Sequence, residues 1–287
     1  MGLAGCQARA EARPREERTT VKIGITLRNM GPQSRPEVLV PCAEAADAAG
    51  LESLWITDHL AIPPDDAEGS GGRYTDPLTT LAYLAGRTER IGLGTGVLIL
   101  PYRRPLPVAK AVATVQELSG GRLLLGVGVG WMEPEFRALG IDRRRRGRDA
   151  DAALDLLHRC FAEDEVEAHG QRFLFAPRPQ RPPIYVGGAG EHALRRTVRH
   201  GDGWLPMSAD PEKLRPAAER LRALADEAGN PVPEIVCFGG LPLDDPVRAS
   251  DRLTVLAGLG VTRFIQGVRY DDVAGYRNAL DSLARLL

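Results

Sequence analysis

The stretch SLWITDHL, residues 53–60, decides how this chain is read. Leu54, Trp55, Ile56 and Thr57 form an unbroken apolar, β-prone run that delivers Asp58 and His59 side by side at its end. Such a run, without polar alternation, suits a strand buried on both faces, as in a parallel sheet wrapped by helices. In parallel α/β sheets and barrels, reacting groups stand just beyond the carboxyl ends of strands, where loops vary while the strands fix their bases. Asp58 and His59 are therefore candidates for proton handling. The competing reading makes Asp58 a helix cap and His59 a surface loop residue.

Outward from this segment the same unit recurs. Strand patterns fall at 21–27, 53–57, 91–100, 123–129, 183–188, 203–207, 234–240 and 262–268. Each leads into a helical pattern, at about 36–49, 77–87, 105–118, 147–161, 191–200, 211–228, 246–258 and 274–287. Eight strand-then-helix units in a chain of 287 residues match the size and order of a (β/α)8 TIM barrel, whose parallel strands need helical crossovers. The expectation is one α/β barrel over residues 21–287. The opening MGLAGCQARAEARPREERTT, residues 1–20, is polar and aperiodic, and reads as a disordered extension.

Composition narrows the function. With 43% hydrophobic and 26% charged residues the chain fits an ordinary globular protein. Its 37 Lys+Arg against 38 Asp+Glu leave a formal charge of -1, so there is no basic field to gather nucleic acid or anionic lipid. No run approaches the ~20 apolar residues of a membrane span. Cys6, Cys42, Cys160 and Cys237 are scattered without a CxxC, which suits free thiols and a cytoplasmic address. The five histidines form no HExxH or HxH, so no metal is assigned. With no GxSxG elbow and no Walker loop, hydrolysis and phosphoryl transfer fall behind redox chemistry.

Three further strand ends carry signals. The third, GTGVLILPYRRP, holds Gly94 and Gly96, as a bulge, a barrel closure or a flat ligand's approach would require. The fourth, GVGVGW, alternates Gly126, Gly128 and Gly130; alternate residues share a face, so these would clear a flat channel before Trp131. The fifth, GGAG, opens a helix with glycine backbone, a ready cradle for phosphate. GAGEHA also fits a loose dinucleotide fingerprint, but a Rossmann domain opens with that turn, whereas four βα units precede it here. RRRRGR, residues 143–148, is either a solvated helix entrance or a contact for an anionic cofactor tail.

Taken in this order, LWITDHL, IGLGTGVLILPYRRP, LSGGRLLLGVGVGW and PIYVGGAG resemble the bacterial luciferase-like monooxygenase superfamily. Within it, the chain is similar to the small oxidoreductases that use the deazaflavin coenzyme F420. The resemblance implies a luciferase-like barrel with the cofactor ring in its mouth, against a bulge made by a non-prolyl cis peptide between Gly96 and Val97. It implies that Asp58 and His59 contact the ring edge, with His59 handling a proton and Asp58 or a backbone group fixing its tautomer. Val97, Leu98, Trp55 and Trp131 would be apolar walls, with Gly96, Gly128 and Gly130 also at the cofactor, and Gly187, Gly188 and Ala189 would hold phosphate. Trp131 stands where some sugar-phosphate dehydrogenase relatives carry an acid.

The implied activity is hydride transfer between F420 and a small-molecule substrate. The alternative is an FMN-dependent two-component monooxygenase fed by a separate reductase, and a third reading is a catalytically silent barrel. Relatives commonly dimerise, so a homodimer is expected.

Overall fold

The structure, a computed structural model, describes residues 21–285, so the expected extension at 1–20 lies outside the described residues. Its strands are β1 (Lys22–Thr26), β2 (Ser53–Ile56), β3 (Gly92–Thr95), β4 (Leu98–Ile99), β5 (Leu123–Gly128), β6 (Glu165–Ala168), β7 (Gln171–Leu174), β8 (Ile184–Gly187), β9 (Gly203–Leu205), β10 (Glu234–Gly239) and β11 (Val261–Gln266). The large sheet runs β3-β2-β1-β11-β10-β9-β8-β5-β4, and an additional β3–β5 pairing closes it. β3 and β4 are halves of one stave, separated by the cis Gly96–Val97 peptide, so these nine segments make an eight-staved parallel barrel. This is the TIM-barrel architecture the strand-and-helix alternation predicts.

The helices are α1 (Pro36–Ala48), α2 (Pro77–Ala85), α3 (Pro105–Leu118), α4 (Glu133–Ala138), α5 (Arg146–Ala162), α6 (Glu191–His200), α7 (Pro211–Ala228), α8 (Pro246–Gly258) and α9 (Val273–Ala284). Aspartate–proline pairs start three of them. Asp76, Asp210 and Asp245 accept from first-turn amides of α2, α7 and α8, and the following proline has the fixed φ and missing N–H that a first turn tolerates.

Two shells of apolar packing hold the barrel. Trp55, Tyr185, Leu205, Val236 and Ile265 fill its interior, so it is a packed core and not a pore. Ile25, Leu54, Ile56, Leu93 and Leu125 belong to the larger cluster between strands and helices. The indole of Trp55 occupies the place where a side chain at Gly94 would project, which accounts for a glycine in mid-strand. At the amino-terminal ends of the strands, Arg263 is buried and donates to both oxygens of Glu52 at 2.6 and 2.8 Å and to the Tyr185 hydroxyl at 2.7 Å.

The third strand divides at the cis Gly96–Val97 peptide, where the resemblance places a bulge. Two features depart from the expected pattern: the six-residue α4 was not foreseen, and β6 and β7 form an antiparallel hairpin outside the barrel. The hairpin packs Val166 with Phe175 against Ala109 and Ala113 of α3 and Cys160 of α5. No helix among the described residues is long and apolar enough to cross a membrane.

Candidate functional site

Beyond β2 the chain is locked before it reaches His59. Buried Asn29 accepts from the Thr57 amide and hydroxyl at 3.0 Å each and donates to the carbonyls of Thr57 and Thr75 at 2.8 and 2.9 Å. Asp58 then turns inward. Its side chain is fully buried and its carboxylate engaged, accepting from the Ile99 amide at 2.8 Å and from the Arg103 fork at 2.6 and 2.9 Å. Arg103 also donates to Asp76, the N-cap of α2, at 2.8 Å. This corrects the expectation that Asp58 meets a ring edge or orients His59: its oxygens are occupied in fastening β4 and the β4–α3 loop to the end of β2.

The group that orients His59 is Glu135 of α4. The His59 Nδ1 lies 2.8 Å from Glu135 Oε2, which also accepts from the Tyr102 hydroxyl at 2.9 Å. Glu135 Oε1 accepts from the amides of Leu60 and Ala61 at 2.7 and 3.0 Å. Burial alone would raise the Glu135 carboxyl, but the Ala61 amide, His59, the Leu60 amide and Tyr102 together hold it below the ordinary value. Burial and this carboxylate push the Tyr102 phenol far up, so Tyr102 remains a donor. An ionised Glu135 places the proton of His59 on Nδ1 and leaves Nε2 as the working nitrogen. Among the described residues Nε2 has no hydrogen-bond partner. The imidazole is flanked edge-on by Tyr74 and Trp131, at ring-centroid separations of 5.0 and 6.4 Å.

The glycines of the third, fourth and fifth strand ends have a different use from the expected open channel. Side chains built at Gly128 and Gly187 would come within 2.5 and 2.8 Å of the methyls of Val97, so both leave room for Val97 at the bulge. Gly126 lies under the Thr95 carbonyl, and a side chain at Gly130 would meet Ile99 and Phe136 at 2.9 and 3.0 Å. Leu98 is buried in the core between strands and helices and is not among the residues lining the mouth cavity, and Trp131, 66% exposed, does not line it either. Gly96 does line the mouth.

A cavity of about 570 Å³ opens at this mouth, floored by Trp55 and Phe238, whose rings meet edge-on. Leu27, Ile56 and Val268 extend its apolar wall, and Arg28, Glu68 and Arg269 supply charge. The turn after β8 lies elsewhere on the same face. Gly188 and Gly190 have φ of 122° and 84°, which any residue but glycine adopts at a cost, and the Gly188 carbonyl accepts from the Trp204 indole at 2.8 Å. With Ala189 they lead into α6, which has no side-chain cap and leaves the Glu191 and His192 amides without intrahelical acceptors. Beside this turn, Val129 and His192 line a second cavity of about 610 Å³ that carries Arg144, Arg146, Arg148, Arg196 and Arg199 against Asp151 and Asp155.

Sequence reading missed Glu135, Arg103, Tyr102 and Asn29. Nothing along the chain distinguishes Glu135 from Glu133, two residues earlier. Arg103 lay in a quoted stretch, PYRRP, but only the fold shows that it reaches Asp58 and Asp76.

Fold and mouth define a (β/α)8 barrel furnished at its carboxyl-terminal face, the place where enzymes of this architecture carry their chemistry. The chain belongs to the luciferase-like monooxygenase family, whose model matches residues 19–258. An uncharacterized protein of Mycobacterium tuberculosis is 31% identical over 257 residues, covering 82% of this chain and 86% of its own. The F420-dependent hydroxymycolic acid dehydrogenase of the same bacterium is 32% identical over 216 residues, covering 72% of this chain and 58% of its own. Among solved structures, the oxygenating constituent of 3,6-diketocamphane monooxygenase from Pseudomonas putida, in complex with FMN, is similar at a TM-score of 0.75 and 14% identity, covering 92% of this chain and 97% of its own. Proteins similar to this chain thus include an F420-dependent dehydrogenase and an FMN-bound monooxygenase.

Proposed function

We propose that this luciferase-like protein is an oxidoreductase that transfers a hydride between coenzyme F420 and a small organic substrate. The observation that carries the choice of cofactor is the arginine-lined cavity beside the uncapped α6 turn. FMN ends at its phosphate, whereas the deazaflavin continues past its phosphate into an acidic tail. Five arginines against two aspartates suit that longer anion, and the Glu191 and His192 amides suit the phosphate. Gly96, Val97, Trp55 and Phe238 would bound the ring in the mouth cavity. When bound, the reduced cofactor supplies a hydride from a ring carbon. His59 takes up or gives one proton at Nε2, Glu135 keeps the Nδ1 proton in place, and Tyr74 and Trp131 limit water around the imidazole.

The competing reading, a monooxygenase using FMN delivered by a separate reductase, is supported by the shared fold of the FMN-bound relative. A titration of the purified protein with oxidised deazaflavin, FMN and NADPH separates the two. Micromolar or tighter deazaflavin binding, stronger than that of FMN, is expected. Preferential FMN binding, with substrate-dependent oxygen consumption when reduced FMN is supplied, would replace this reading by the other. His59→Ala should keep cofactor affinity and lose about 10²-fold or more in hydride transfer. Unchanged turnover would leave His59 without a chemical role.

A further inference from the structure

We infer that the barrel mouth selects a substrate with a carboxylate on an apolar body, and that Arg28 and Arg269 receive the carboxylate. The inference rests on the mouth cavity being the reaction site, as proposed above. β1 and β11 are neighbouring staves, with Ile25 paired to Gln266, so the residues beyond their ends converge at the mouth. Arg28 follows β1 and Arg269 follows β11, and both line the cavity. The backbone of Arg28 is fixed there, its amide donating to the Tyr270 hydroxyl at 2.9 Å.

The side chain of Arg28, by contrast, has little to hold. Its Nε is buried with no hydrogen-bond partner, and one terminal nitrogen reaches the Gly69 carbonyl only at 3.4 Å. Elsewhere in the barrel, Arg103 is paired with Asp58 and Asp76, Arg196 with Asp151 and Arg263 with Glu52, and Arg122 donates to the backbone carbonyls of Ala85, Thr88 and Ile91; Arg252 shares with Arg28 a buried Nε without a partner, but it lies outside the mouth cavity. Among the described residues, no carboxylate lies within 4.0 Å of the guanidinium of Arg28 or of Arg269. A buried donor without a partner is unfavourable until something accepts from it, and a guanidinium fork matches a carboxylate at two points. Glu68 also lines the cavity, so two arginines against one glutamate leave the mouth net positive. The remaining lining, with Leu27, Met30, Trp55, Ile56 and Phe238, suits hydrocarbon or an aromatic ring.

The anion in question is not the cofactor's phosphate. The uncapped turn at α6 follows β8, on the opposite side of the barrel from β1 in the strand order. Arg28 and Arg269 therefore serve a second, separate negative group.

The probe pair 3-phenylpropanoate and 3-phenylpropanamide tests this, because the two differ in charge and hardly in shape. Calorimetric titration of the full chain, with and without saturating oxidised deazaflavin, should show the acid binding about tenfold or more tighter than the amide. Arg28→Met should bring the acid down to the amide's affinity and leave deazaflavin affinity unchanged, with Arg269→Met acting in the same direction. Equal binding of acid and amide by the wild type overturns the inference, as does acid binding that survives the double Arg28→Met, Arg269→Met variant. Loss of deazaflavin affinity in Arg28→Met also overturns it, by assigning the arginine to the cofactor. Should the wild type discriminate acid from amide yet fail to bind deazaflavin, the cofactor reading falls and the carboxylate site stands.

Discussion

Asp58 and His59 are adjacent in the chain but belong to different networks, because successive residues leaving a strand point to opposite sides. Asp58 joins the Arg103–Asp76 set, and His59 joins Glu135, beyond the residues that line the mouth cavity. Asp58→Asn keeps the shape but sets an amide nitrogen near the guanidinium and removes the charge that faces it. Breaking one side of such a buried pair should cost roughly 3–5 kcal/mol, read as a lower urea midpoint. A loss below about 1 kcal/mol would instead class the contact with surface ion pairs. The sequence marks Asp58 and His59 as a pair because adjacency is all that it displays. Glu135 was out of reach of that reading: its partnership with His59 spans 76 positions and exists only once α4 closes over the β2 end.

At the scale of elements, the divided third stave depends on its neighbours being glycine. Val97 projects into space left by Gly128 of β5 and Gly187 of β8. Gly128→Ala would place a methyl 2.5 Å from a Val97 methyl, and Val97, with its branched side chain, has no slack rotamer to absorb it. The expected cost is about 1–3 kcal/mol, together with weaker cofactor binding as the bulge shifts. Gly86→Ala is the control, since its added methyl meets only the Tyr83 carbonyl, at 3.6 Å. Equal stability of the two variants would show that Val97 moves freely. The order of staves and helices was legible because buried parallel strands are apolar runs and their crossover helices carry a longer period. α4 was not, since six residues around Pro134 are too few to display a helical period. Nor was the hairpin: Val166 is the one buried residue among its two strands, which leaves no apolar run to recognise. The alternating glycines were visible, but sequence could not say whether ligand or Val97 fills the space beside them.

Across the whole molecule, carboxylates that secure one element to another share a response to acid. For Glu52, Asp76, Glu135 and Asp202, burial alone would raise the carboxyl, yet hydrogen bonds from arginines, backbone amides or, for Glu135, His59 outweigh it and hold each below its ordinary value. A carboxyl whose folded value lies below its unfolded one contributes stability above the unfolded value, about 4 for these groups, and loses that contribution as pH falls through the folded value. Denaturation midpoints should therefore decline below about pH 4. Glu135→Gln, less stable than wild type at neutral pH, should close the gap as the solution is acidified. A gap that stays constant down to pH 3 would mean that folding does not lower the Glu135 carboxyl. The packed interior has one more consequence. With Trp55, Tyr185 and Ile265 filling the barrel and Arg263 tied across its lower end, there is no rear exit. If cofactor and substrate stack in the mouth as proposed, they share one doorway, and the last to enter is the first to leave.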